Sequence, residues 1–225
     1  MLGSARSENL TPQPAFQRTA MALRERIMNG QLHARQSLAE QELAAEWGVS
    51  RNTVREALRV LHGEGLVDYR PNCGVSVRCL DARDVRDIYN TRRHLELMAI
   101  NTPHTINEHH LTALRYTLDQ SIQAAACNDW QAVGTYSLRF HQGVVHMVGS
   151  DRLDAFFTVL MAQQRLLFAS GQHEPAFQRP WLDQDQQLWA LLKAQRIDDA
   201  SQQLMTYLNE SERQIMSAFK HHSES

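Results

Sequence analysis

The amino-acid sequence predicts a mainly α chain in which an N-terminal winged helix-turn-helix is followed by an all-α antiparallel helical bundle. Three observations carry this. Two short amphipathic stretches, 39–47 and 51–61, are separated by Gly48 and Val49. Two alternating segments follow, Leu66-Val67-Asp68-Tyr69-Arg70 and Val75-Ser76-Val77-Arg78. From Asp81 onward helical periodicity persists with no strand-like segment. The expected organisation is a disordered arm over 1–14, a winged unit over 15–79 and a helical unit over 80–225.

The arm is polar and holds Pro12 and Pro14, so it lacks the apolar side chains that would anchor it. A first helix follows from Phe16, with Ala20, Met21, Leu23, Ile27 and Met28 at helical spacing and Gly30 as its stop. In the second, Leu43, Ala44 and Trp47 share a face, and Gly48 ends it. Ser50 then caps a third helix whose Val54, Ala57, Leu58 and Leu61 fall at i, i+3, i+4 and i+7. Pro71-Asn72-Cys73-Gly74 supplies the turn of a hairpin directly behind it. Two short helices joined by a glycine turn, with a hairpin behind, describe a winged helix-turn-helix. Six further helices are expected near 83–102, 107–127, 130–148, 151–169, 179–195 and 198–219. Asn107, Asp129, Asp151 and Asp198 stand at their starts, and Pro103, Pro175 and Pro180 mark breaks. Their short connections imply an antiparallel bundle.

With 225 residues and 43% hydrophobic content, two modest domains can each bury a core. The chain has 23 basic and 25 acidic residues, which excludes a strongly basic nucleic-acid coat and an acidic disordered chain. Nucleic-acid binding must therefore be local. Before Leu80 there are ten Arg, no Lys and eight acids, a net +2, against −4 for the remainder. Arg is the side chain that pairs bidentately with phosphate and guanine. Cys73, Cys79 and Cys127 form no CxxC pair, so reduced thiols and a cytoplasmic location are expected. No apolar run approaches the roughly 20 residues of a membrane span.

The inward stripe of the third helix turns Arg51, Asn52, Arg55, Glu56 and Arg59 outward. Arginines on the first turns of such a helix reach guanine N7 and O6 in the major groove, and phosphates add affinity independent of sequence. Arg51, Asn52 and Arg55 are assigned to base edges and Arg59 to the backbone.

The run Gly48-Val49-Ser50-Arg51-Asn52-Thr53-Val54-Arg55-Glu56-Ala57-Leu58, then Leu61 and Gly63-Glu64-Gly65-Leu66-Val67, resembles the GntR family of bacterial repressors and activators. The resemblance covers residues 16–79. It implies double-stranded DNA with a pseudo-palindromic operator as partner, a homodimer, and DNA contacts that extend to Thr53, Gln41, Arg35 and Asn72. The sequence departs from the family where Ala34-Arg35 replaces a Pro-Gly turn, Ala39 replaces a capping Ser, and the wing reads Asn72-Cys73-Gly74.

The helical remainder resembles the FadR-type branch, in its shorter six-helix subgroup, whose bundle binds small carboxylates and often a divalent metal. Arg92-Arg93-His94-Leu95-Glu96 is similar to the run that opens that bundle, and Phe140-His141 to its metal motif. The Asp expected one turn before His141 is Ser137, and the two later histidines fall by spacing at Gln186 and at Tyr207 or Leu208. One imidazole of four family ligands survives, and a tight divalent site needs three or more anionic or imidazole donors. No cofactor is therefore expected, and a metal is disfavoured. Arg92, Ser137, His141, Arg165, Gln186 and Trp189 are instead expected to hold a small organic acid directly.

Two other functions fit parts of the chain. A helical metal-dependent enzyme could be built around His141, but no GxSxG, HExxH, Walker or dinucleotide motif accompanies it. An architectural DNA binder without ligand control would leave the polar residues of the bundle without a role.

Overall fold

The computed structural model describes residues 13–70, 74–103, 105–168 and 175–223. Residues 1–12 of the expected arm, and Asn72 and Cys73 at the expected wing tip, lie outside the described residues.

Helix α1 (Ala15–Met28) buries Thr19, Ala20, Leu23, Ile27 and Met28. Helix α2 (Glu40–Trp47) begins behind Ala39, which makes no side-chain cap, and ends on Gly48 at φ 63°, the left-handed turn that lets a third helix start two residues on. Helix α3 (Arg51–Gly63) is capped by Ser50 and buries Val54, Ala57, Leu58 and Leu61 against α1 and α2.

Strands β1 (Val67–Arg70) and β2 (Gly74–Val77) pair antiparallel with Val67 opposite Val77 and Tyr69 opposite Val75. The segment leading into α2 lies along the other edge of β2. Leu38 N–H donates to Val75 O at 2.9 Å and Val77 N–H to Gln36 O at 2.9 Å.

The bundle consists of α4 (Ala82–Asn101), α5 (Glu108–Ala126), α6 (Trp130–His146), α7 (Asp151–Leu167), α8 (Pro175–Lys193) and α9 (Ile197–Ser223). Asp81 opens α4 with a reciprocal capping box to Asp84, and Asn107, Asp129 and Ser150 cap the next three helices. The expected break at Pro180 is corrected: α8 starts at Pro175 and continues through Pro180. At the start of α7 the cap is Ser150 rather than Asp151, which lies in the first turn beside the helix's positive end. Among the described residues no helix is long and apolar enough to cross a membrane.

The two units share one apolar core running from Leu23 and Val54 through Val85 and Phe140 to Ile215. Helix α6 also completes the C-terminus of α1, whose last carbonyls have no partner within the helix. Thr135 Oγ1 donates to Met28 O at 3.3 Å and Gln131 Nε2 to Asn29 O at 2.8 Å.

Candidate functional site

The outward face of α3 is the first candidate surface. Arg51, Asn52 and Arg59 are exposed, with Thr53, Arg55 and Glu56 half-buried beside them. Ser50 Oγ accepts from Thr53 N at 3.0 Å, which fixes the first turn that carries Arg51 and Asn52. Arg55 is held in a fork by Glu40 of α2, Nε to Oε1 at 3.1 Å and Nη2 to Oε2 at 2.8 Å. That hydrogen bond, with the Arg55 charge, keeps the Glu40 carboxyl below its ordinary value despite partial burial. Arg59 pairs with Glu56 on its own helix at 2.5 Å.

Gln41 on α2 is exposed, as is Arg35, whose N–H donates to Val77 O of β2 at 2.9 Å. Arg35 stands at φ 69°, the backbone conformation of the glycine it replaces. Tyr69 on β1, which the sequence reading did not select, is 42% exposed, and its phenol feels the charges of Arg55 and Arg59. Three arginines on α3, with the Tyr69 phenol near Arg55 and Arg59, suit phosphate and base-edge hydrogen bonding.

The second candidate is a buried polar cluster in the bundle. Arg92 and Glu96 of α4 are 2% and 0% exposed and form an ion pair, Nε to Oε1 at 2.7 Å. The other oxygen of Glu96 lies 2.6 Å from His141 Nδ1 on α6. On its far side His141 Nε2 stands 3.3 Å from Asp185 Oδ1 on α8. Burial alone would raise the Glu96 pKa, but Arg92 and His141 together hold it down. Burial alone would lower that of His141, and Glu96, with help from Asp185, raises it instead.

The Tyr207 ring lies 4.7 Å from that of His141 and 4.9 Å from that of Trp181, and its hydroxyl reaches Ser137 Oγ at 3.3 Å. Burial, then the Asp185 charge, pushes its phenol well above the ordinary value. Arg92 also stacks on Tyr89, whose hydroxyl accepts from Gln164 Nε2 at 2.8 Å.

Six polar side-chain atoms in this network are buried without a well-aligned hydrogen bond among the described residues: Arg92 Nη2, Trp181 Nε1, Gln164 Oε1, His141 Nε2 and both oxygens of Asp185, with His141 Nε2 and Asp185 Oδ1 facing each other at 3.3 Å. Each such atom costs about 1–3 kcal/mol in a closed protein if it stays unpaired, so their convergence makes this cluster a candidate site for a bound molecule.

A divalent metal does not fit it. Glu96 takes His141 Nδ1, so only His141 Nε2 and Asp185 face each other with open coordination, and Ser137 and Tyr207 stand where further ligands would be needed. Among the described residues no three His, Cys, Asp or Glu side chains converge on a metal position.

The structure brings together Arg92, Ser137 and His141 of the expected effector set and places the other three elsewhere. Gln186 turns back to Leu182 O, and Trp189 Nε1 donates to Leu111 O at 3.0 Å under Arg115 and Lys193. Arg165 lies at the seam between the two units, where Nη2 donates to Gln131 O at 3.2 Å. Burial draws its guanidinium down to about 10, with Asp129 offsetting part of that. A Cβ on Gly30 or Gly134 would crowd its guanidinium and push it aside, and Gly30 also holds φ 70°, which disfavours a side chain there.

The sequence reading missed Asp185, Trp181, Tyr207 as a cluster member, Gln164 and Tyr89. A legible signal existed, because Trp181, Asp185, Leu188 and Leu192 recur at one helical stripe with a carboxylate in an apolar row.

Residues 16–77 match the family described as bacterial regulatory proteins, gntR family, and residues 87–210 match the FCD domain. An uncharacterized HTH-type transcriptional regulator of Bacillus subtilis is 33% identical over 114 residues, 50% of this chain and 51% of that protein. The gluconate operon transcriptional repressor of Bacillus licheniformis is 29% identical over 132 residues, 58% of this chain and 54% of that protein. The chain thus spans about half the length of these curated relatives. The crystal structure of a GntR regulator from Rhodococcus sp. RHA1 superposes with a TM-score of 0.83 at 33% identity, covering 90% of this chain and 98% of that one. The chain belongs to the GntR family of bacterial transcriptional regulators, in the branch whose winged helix-turn-helix is joined to an FCD domain.

Proposed function

We propose that the chain binds a pseudo-palindromic operator as a homodimer and that a small acid seated in the buried cluster of the FCD domain changes its operator affinity. The carrying observation is the α3 face, a Ser50-capped helix that presents Arg51, Asn52, Arg55 and Arg59 together. A dimer places two such helices about one DNA turn apart, and a ligand that prefers one arrangement of the bundles shifts the equilibrium by linkage. The relative named as a gluconate operon repressor supports control by a small acid and repression as the sign of that control.

Helix α6 supports the coupling. Thr135, Gln131 and Arg139 face the winged unit, and Arg139 Nη2 reaches Glu25 Oε1 at 2.6 Å and Asn29 Oδ1 at 3.1 Å. Ser137 and His141, two residues on from Thr135 and Arg139 and about 200° round the helix, face the buried cluster. A ligand that moves α6 moves the support of α1.

The test is selection of genomic fragments by the purified protein at about 150 mM salt, where weak phosphate contacts are screened. One enriched pseudo-palindrome is expected, lost in Arg51→Ala and in Arg55→Ala at about 1–3 kcal/mol for each bidentate base contact. Recovery of random fragments alone would leave an architectural DNA binder.

A further inference from the structure

Donors and acceptors are both left unsatisfied in the buried cluster, and this selects among small acids. As donors, Arg92 gives Nε to Glu96 and keeps Nη2 without a partner, and Trp181 Nε1 is likewise unpartnered among the described residues. As acceptors, Asp185, only 1% exposed, has Oδ1 3.3 Å from His141 Nε2 and Oδ2 without a partner among the described residues, and Gln164 Oε1 is likewise unpartnered beside the Tyr89 hydroxyl. Glu96 is fully committed, one oxygen to Arg92 and the other to His141, so Asp185 is the carboxylate left to meet a ligand.

We infer that the effector is amphoteric, a small amino-acid-class molecule carrying a carboxylate and a protonated amine on one frame. This rests on the proposed effector role of the cluster and narrows its ligand class. A plain carboxylate would satisfy Arg92 and Trp181 but would bring a second negative charge into a closed space with Asp185, where like charges are poorly screened. A plain amine would satisfy Asp185 and face the Arg92 guanidinium instead. A molecule bearing both groups answers donors and acceptors alike with charge-assisted hydrogen bonds. The sum of formal charges agrees. With Arg92 positive and Glu96 and Asp185 negative, the cluster is at −1 with His141 neutral and at zero with it protonated, so in neither state does it hold the surplus positive charge that a simple acid would select.

The experiment titrates the full chain, by thermal shift and calorimetry, with compounds that share a five-carbon frame: pentanoate, pentylamine, 2-hydroxypentanoate, norvaline and 5-aminopentanoate, followed by the twenty standard amino acids. Amino acids are expected to bind where pentanoate and pentylamine at equal concentration do not. Asp185→Asn, which keeps the shape, is expected to weaken amino-acid binding about 10- to 100-fold and to admit pentanoate, an inversion of preference that a misfolded variant would not show. Pentanoate or 2-hydroxypentanoate binding wild type at least as well as every amino acid would overturn this inference and leave the effector role standing. If no compound binds while the operator is still recognised, the effector role of the cluster falls with it.

Discussion

Arg35 shows how one residue can serve surface chemistry against its own backbone. It holds φ 69°, a conformation that costs an L-residue about 1–2 kcal/mol and glycine almost nothing, and its N–H donates to Val77 O at 2.9 Å. Its side chain is exposed, and operator contact is the role proposed for it. Arg35→Gly is expected to stabilise the chain by about 1 kcal/mol, less the entropy of a freer glycine, and to raise Tm by about 2–4 °C. The same change should weaken operator binding and reduce the slope of log affinity against log salt by about one. Thermal unfolding and anisotropy titration at several salt concentrations check both. A stabilised variant with unchanged salt slope would mean that Arg35 contacts no phosphate.

At the scale of elements, α3 depends on its cap. Ser50 supplies the single side-chain acceptor for the first turn, so Ser50→Ala is expected to cost about 1 kcal/mol and to weaken operator binding as Arg51 and Asn52 lose their fixed start. A urea midpoint and a binding isotherm on the same sample measure the two effects.

The elements themselves were largely legible in the sequence, because apolar period and cap residues act locally. Ser50, Asn107 and Asp129 cap the helices that the sequence assigned to them. Pro180 misled, since one proline removes a single helical hydrogen bond, and packing of Trp181, Leu188 and Leu192 against the bundle outweighs it. The buried cluster was half legible. Arg92, Ser137 and His141 lie on short motifs, whereas Asp185 is one residue from Gln186, and spacing alone does not fix helical register to within one residue. Arg165 went astray for a different reason, because a buried arginine with no carboxylate beside it looks the same in sequence whether it faces a ligand or a domain seam.

At the scale of the whole molecule, that seam joins the two units into one cooperative body. Gln131 and Thr135 satisfy carbonyls at the end of α1, and Gln163 Nε2 donates to Glu64 O at the end of α3 at 2.7 Å. Wild type is expected to unfold in one calorimetric transition. Gln131→Ala with Thr135→Val leaves two carbonyls without donors, at about 1–3 kcal/mol each if they stay buried, and is expected to split that transition in two. A single transition in the double variant would show that the shared apolar core alone holds the units together.

The seam is also chemically one-sided. Gln131, Thr135 and Gln163 all donate across it to uncharged backbone carbonyls, beside two ion pairs, Arg139 with Glu25 and Arg78 with Asp84. Added salt screens charge pairs far more than neutral hydrogen bonds, so raising it strips the protein from DNA without loosening one unit from the other. The salt dependence of operator affinity then becomes a ruler, its slope counting the phosphates that the bound protein neutralises.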